Sequence, residues 1–121
     1  MSILNAMTSL ADRLADILDD QAATVTADPR DVPGIIGADK VAVLVTPPEA
    51  AWPTWDAAAF TFEVWMIAAT QDTIGALTVL DPIITAINDD PDTAADSGRP
   101  DMFALSANRP QLPGYILTIT T

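Results

Sequence analysis

The run from Phe60 to Thr70 constrains the fold of this chain more than any other segment. In it Phe60, Phe62, Val64, Met66 and Ala68 alternate with Thr61, Glu63, Trp65, Ile67 and Ala69. Successive side chains of an extended backbone point to opposite faces, so the first set makes one continuous apolar face. A helix would scatter the same residues around its axis. A long strand with one core-facing side is therefore expected. Its second face is half polar and reads as either solvated or a subunit contact, with Trp65 and Ile67 the candidate contact residues.

Such a strand needs cover, and two segments have the helical period to supply it. In residues 2–20, Ile3, Met7, Leu10, Leu14 and Ile17 recur at spacings of three and four, with Leu4 and Leu18 widening the stripe. Ser2 suits the N-cap. A second helix, capped by Asp72 or Thr73, runs to about Asn88, with Ile74, Leu77, Leu80, Ile84 and Ile87 on one face. Pro82 lacks a backbone donor and crowds the preceding turn, so a kink near residues 79–81 is expected. Further strands are expected at 23–26, 41–46, 102–105 and 115–120. Val32-Pro33-Gly34 reads as a turn, and residues 47–58 and 88–101 as loops. The order α-β-β-β-α-β-β describes a single α+β domain over residues 1–121, an antiparallel sheet with both helices on one face. No internal repeat or domain boundary interrupts it.

The charge balance narrows the function. Five Lys and Arg stand against 17 Asp and Glu, a formal charge of -12, while half of the 121 residues are apolar. Nucleic-acid and anionic-membrane binding need clustered cations, and here Arg13, Arg30, Lys40, Arg99 and Arg109 are scattered. Few charges and abundant apolar side chains on a small domain favour a homo-oligomer, because much of the surface lies outside the core. The amino-terminal residues lack the basic region and apolar run of a signal peptide, and no apolar run would span a bilayer. A soluble, intracellular protein is the expectation.

Most catalytic chemistry is missing its residues. Without histidine and cysteine the usual general base, thiol nucleophile and soft metal ligands are gone. The sequence has no glycine-rich phosphate loop and no nucleophile elbow. What remains is carboxylate chemistry. Asp89, Asp90, Asp92 and Asp96 fall close together and read either as a divalent-cation site or, more simply, as a solvated loop with Arg99 pairing one of them. Their spacing does not match a calcium loop, and no cofactor is expected. Trp52 and Trp55, in Trp52-Pro53-Thr54-Trp55, are the most informative local feature. Aromatics of this kind either anchor a partner or fold back onto their own core.

Taken in order, several segments resemble the tail terminator proteins of siphophages, particularly those infecting actinobacteria. The segments are Ala27-Asp28-Pro29-Arg30, the strand ending in Pro47-Pro48, Phe60-Thr61-Phe62-Glu63-Val64, and Leu80-Asp81-Pro82. Then come Ala94-Ala95-Asp96-Ser97-Gly98-Arg99-Pro100 and Leu112-Pro113-Gly114-Tyr115-Ile116-Leu117-Thr118. Together they span nearly the whole chain. The resemblance implies a homohexameric ring that caps the tail tube at the tail–neck junction of the virion. Its partners would be the major tail tube protein below and the head-to-tail connector above, with phage DNA passing through the lumen unbound. It implies no catalytic residue. Contacts would come from the loops at 47–58, 88–101 and 106–114, which brings Trp52, Trp55, Arg99 and Arg109 forward.

Three other functions compete. A neck or head-completion connector would share the fold. An acidic inhibitor that mimics DNA would need carboxylates spaced like phosphates on one exposed face, whereas these acids are scattered or held in loops. A carboxylate-dependent hydrolase would need a second acid beside Glu63, and the sequence offers no obvious one.

Overall fold

The computed structural model describes residues 2–54, 57–107 and 109–121. Helix α1 spans Ile3–Ile17 and starts where expected, with the Ser2 hydroxyl accepting from the Asn5 N–H at 3.0 Å. Strand β1 (Ala23–Thr26) follows, then a 3₁₀ turn at Pro29–Asp31 and a short helix α2 (Val32–Gly37). Strands β2 (Val41–Val45), β3 (Glu49–Thr54) and β4 (Ala57–Ile67) lead to helix α3 (Thr73–Asp89). Strands β5 (Ser97–Phe103) and β6 (Leu112–Thr120) complete the chain.

The fold class is α+β, but the sheet is mixed. Its strands lie in the order β1-β2-β4-β6-β5, with β3 pairing the first half of β4. All pairs are antiparallel except β1 and β2, which run parallel, Ala23 opposite Val41 and Thr26 opposite Leu44. A parallel pair needs a crossover, and α2 supplies it. The expected turn at Val32-Pro33-Gly34 is thus corrected to a helical turn. Proline is well tolerated in a first turn, where its missing N–H has no partner to lose. Val32 and Ile35 of α2 are buried against the sheet.

Residues 49–54 and 97–101, read as loops, are strands, the latter extending the strand expected from Met102 backwards. Residues 49–54 pair with β4, Glu49 opposite Thr61 and Ala51 opposite Ala59, with a register irregularity before Thr54. Ser97–Phe103 pairs with β6 along its whole length. Both are poor in β-branched residues, so their extended form comes from the partner strand and not from local preference. Strand β6 also starts earlier than expected, at Leu112. It accommodates Gly114 for a clear reason: a Cβ there would sit 2.8 Å from the Met66 carbonyl oxygen of β4.

The main core lies between the sheet and the α1/α3 pair. Phe60, Phe62, Val64, Met66 and Ala68 are all buried there, as alternation requires, with Val41, Val43, Val45, Leu117 and Ile119 beside them. Helix α1 buries most of its expected stripe, with Met7 and Ile17 packed against the core beside Leu10 and Leu14, whereas α3 keeps Leu80 and Ile87 of its stripe but is turned toward Ala76 and Ile83. In α1 the buried line is Ala6, Leu10 and Leu14, continued by Leu18, while Ile3 and Leu4 are exposed. In α3 it is Ala76, Leu80, Ile83 and Ile87, leaving Ile74 and Leu77 in solvent. Helix α3 is apolar on most sides, so period alone does not select the buried one. The helix continues through Pro82, and the Asp72 carboxylate caps it by accepting from the Gly75 N–H at 2.9 Å.

The opposite face of the sheet carries a second, smaller core. Ala42, Leu44, Ile67 and Leu112 pack with Val32 and Ile35 of α2, and Trp65, Phe103 and Leu105 border them. The expectation of two helices on one face holds for α1 and α3; α2 adds partial cover on the other.

Candidate partner-contact surface

Ile67 was expected to face solvent or a neighbouring subunit. The fold buries it completely, beneath α2 and Leu112 of its own chain. It is therefore corrected from a contact candidate to a core residue, because the crossover that makes β1 and β2 parallel lays a helix over that half of the face. Trp65, two residues earlier, is half-buried and meets Phe103 edge to face, with ring centroids 5.5 Å apart. Phe103 ends β5, so this contact ties the outer strand to the second core.

Beyond Trp65 the same face turns polar. Thr46, Glu49, Thr61, Glu63 and Thr118 surround an open recess of about 420 Å³. Arg99 on β5 reaches Glu63 and Asp101, each at 3.4 Å. It was expected to pair with an acid of the 89–96 cluster; edge strand β5 carries it instead onto the sheet face that holds Glu63, opposite Ile116 of β6. All three side chains are about half exposed, so each pair contributes at most about 1 kcal/mol.

Two of the acids expected to cluster share one cation, and Asp96 is bonded elsewhere. Asp90 is paired with Arg13 of α1, with Asp92 3.8 Å from the same guanidinium, which pins the end of α3 to α1. Asp96 accepts from the Thr120 hydroxyl. Among the described residues no group of three or more acids converges as a metal site. Between β1 and α2, Asp28 caps the 3₁₀ turn and holds Arg30 through its side chain at 2.8 Å. The Arg30 hydrogen bonds hold the Asp28 carboxyl below the usual range.

Trp52 stands on β3 and is 63% exposed, so in this chain it does not fold back onto the core. Trp55 lies outside the described residues. Arg109 is exposed in the segment between β5 and β6, with its backbone N–H donating to the Ser106 carbonyl at 3.3 Å.

One exposed apolar strip was not singled out by sequence. Ile74, 74% exposed, lies with Leu77 on the first half of α3, and Met102 of β5 is also exposed nearby. Leu77, Leu80, Pro100, Met102, Pro113 and Tyr115 line a recess of about 550 Å³ between α3 and the β5–β6 pair. A second recess shares Leu77 and Tyr115 and extends the apolar strip past Ile74 to Ile84. The signal available was the near-uniform apolarity of α3, more than one face can bury. Toward the other end of the sheet, where Ala6 of α1 lines a recess with Ala58 and Phe60, two more large apolar side chains are exposed. There Leu4 of α1 is 72% exposed, and Trp52 lies in the β3–β4 pairing that extends past Thr61 and Thr120.

No described helix is long and apolar enough to cross a membrane. No protein-family description and no characterised protein matches this chain.

Proposed function

We propose that this chain is a non-enzymatic structural protein of a long-tailed phage, a tail terminator. Six copies form a ring that caps the tube of major tail protein, ends its growth and meets the head-to-tail connector, while DNA passes through the lumen. One observation supports the reading beyond the sequence resemblance: large apolar side chains are exposed at both ends of the sheet. The strip around Ile74, Leu77 and Met102 is at the end where Ile67 pairs Gly114, and Leu4 and Trp52 are at the end where Thr61 pairs Thr120. A closed ring uses head-to-tail contacts, in which one patch of each copy meets a different patch of the next. A two-fold dimer would need only one. The net charge of -12 fits a conduit that repels phosphates.

Light scattering on the purified chain, alone and with tubes of major tail protein, tests the assembly. A hexamer, or a monomer recruited to tube ends, is expected; a stable dimer with no affinity for tubes defeats the reading. The decisive experiment is deletion of the gene from its phage, which should leave filled heads beside unjoined, overlong tails. Unjoined tails of normal length would move the protein to the neck. Normal infectious particles would remove it from the virion altogether.

A further inference from the structure

Strand β5 is the longest edge of the sheet and six of its seven residues are exposed, the usual template for another chain to add a strand. Which of its backbone groups point outward follows from the pairing beyond it. Phe60 and Thr121 exchange both N–H···O bonds, and the Ala68 N–H donates to Pro113, so the odd-numbered residues of β6 bond to β4. The even-numbered ones therefore bond to β5, and Asp96 donating to the Thr118 carbonyl at 2.7 Å agrees. Thr118, Ile116, Gly114 and Leu112 face Ser97, Arg99, Asp101 and Phe103. The alternation of an antiparallel ladder leaves Gly98, Pro100 and Met102 with their backbone groups directed outward.

Of those three positions, two offer no donor. Pro100 has no N–H. The Met102 N–H is already bonded to the Asp101 carboxylate, at 2.7 Å. Gly98 alone presents an outward donor, and glycine is a poor strand former. Arg99 and Asp101, paired with each other along the strand, add charge beside the same edge. An incoming strand would meet two vacant hydrogen-bond positions in a row and displace a charge-assisted bond to open one of them.

We propose that the Pro100–Asp101 pair closes β5 to strand addition and so acts as a built-in limit on association through sheet continuation. The consequence is that copies of this chain, or partners, meet through side-chain surfaces and never through a shared sheet at β5. This holds whether or not the ring reading does.

The test restores the donors. P100V supplies an outward N–H, and D101A frees the Met102 N–H. The double variant, folded by circular dichroism, should shift on concentration to species larger than the parent, with protection of the Gly98 and Met102 amides from hydrogen exchange. A folded double variant with the parent's size distribution and unprotected amides overturns the proposal. Should the double variant fail to fold, P100T alone, a change at an exposed position, opens one of the two vacant positions and is read by the size distribution and the Gly98 amide. A parent protein whose own Gly98 amide becomes protected on assembly overturns it equally, since the edge would then be in use.

Discussion

The two faces of the sheet come from the same strands but are covered in different ways. On one, α1 and α3 bury an unbroken apolar set from Phe60 to Ala68. On the other, a six-residue helix covers Ala42, Leu44 and Ile67, and the remainder, from Glu63 to Thr61, stays polar and open. The difference shows what cover does to a residue. Ile67 and Glu63 stand four apart on the same strand face, yet one is core and the other half exposed. Their environments are set by how far α2 reaches, not by the strand they share.

The comparison can be broken first at its strongest point. Phe62→Ala removes a fully buried ring from the main core and should cost about 3–5 kcal/mol in urea unfolding. A loss below about 1 kcal/mol would mean the α1/α3 face is not the principal core. Ile35→Ala takes away the anchor of α2 and should cost about 2 kcal/mol, near the low end for such truncations because the site borders solvent. It should also raise hydrogen exchange at Ile67 while leaving Phe62 protected. Equal loss of protection at both would show that the two faces melt as one unit. Arg99→Gln, on the open polar half, should change stability by no more than about 1 kcal/mol. A larger loss would make that half of the face structural.

The smallest effect concerns Asp28. Arg30 lowers its carboxyl, so the folded state holds the charged form more tightly than the unfolded chain does. The resulting stabilisation is present above the ordinary aspartate range and fades as pH falls through the lowered value. In Arg30→Gln, the Asp28 carboxyl should titrate at higher pH by carbon-detected NMR. An unchanged titration would show that the Arg30 backbone N–H alone sets it.

The helix caps at Ser2 and Asp72, the β-branched strand at 41–45 and the core side of β4 were all legible, because each rests on contacts within a few residues. Trp52 stood out by residue type and is exposed; the Ile74–Leu77–Met102 surface did not stand out, since nothing in a helix apolar on most sides marks the part left uncovered. The misread turn at Val32–Gly34 hid the crossover, and with it the cover over Ile67.

From its own residues, then, this chain determined a small α+β domain with one long amphipathic strand, two capped helices, and no histidine or cysteine chemistry. Tertiary structure alone decided that weakly β-forming segments at 49–54 and 97–101 become strands, that β1 runs parallel to β2, and which side of the nearly uniformly apolar α3 is buried. The physical reason is common to all three. Periodicity and capping act between neighbours in sequence, whereas strand pairing and helix orientation satisfy backbone groups and apolar surface supplied by distant parts of the chain.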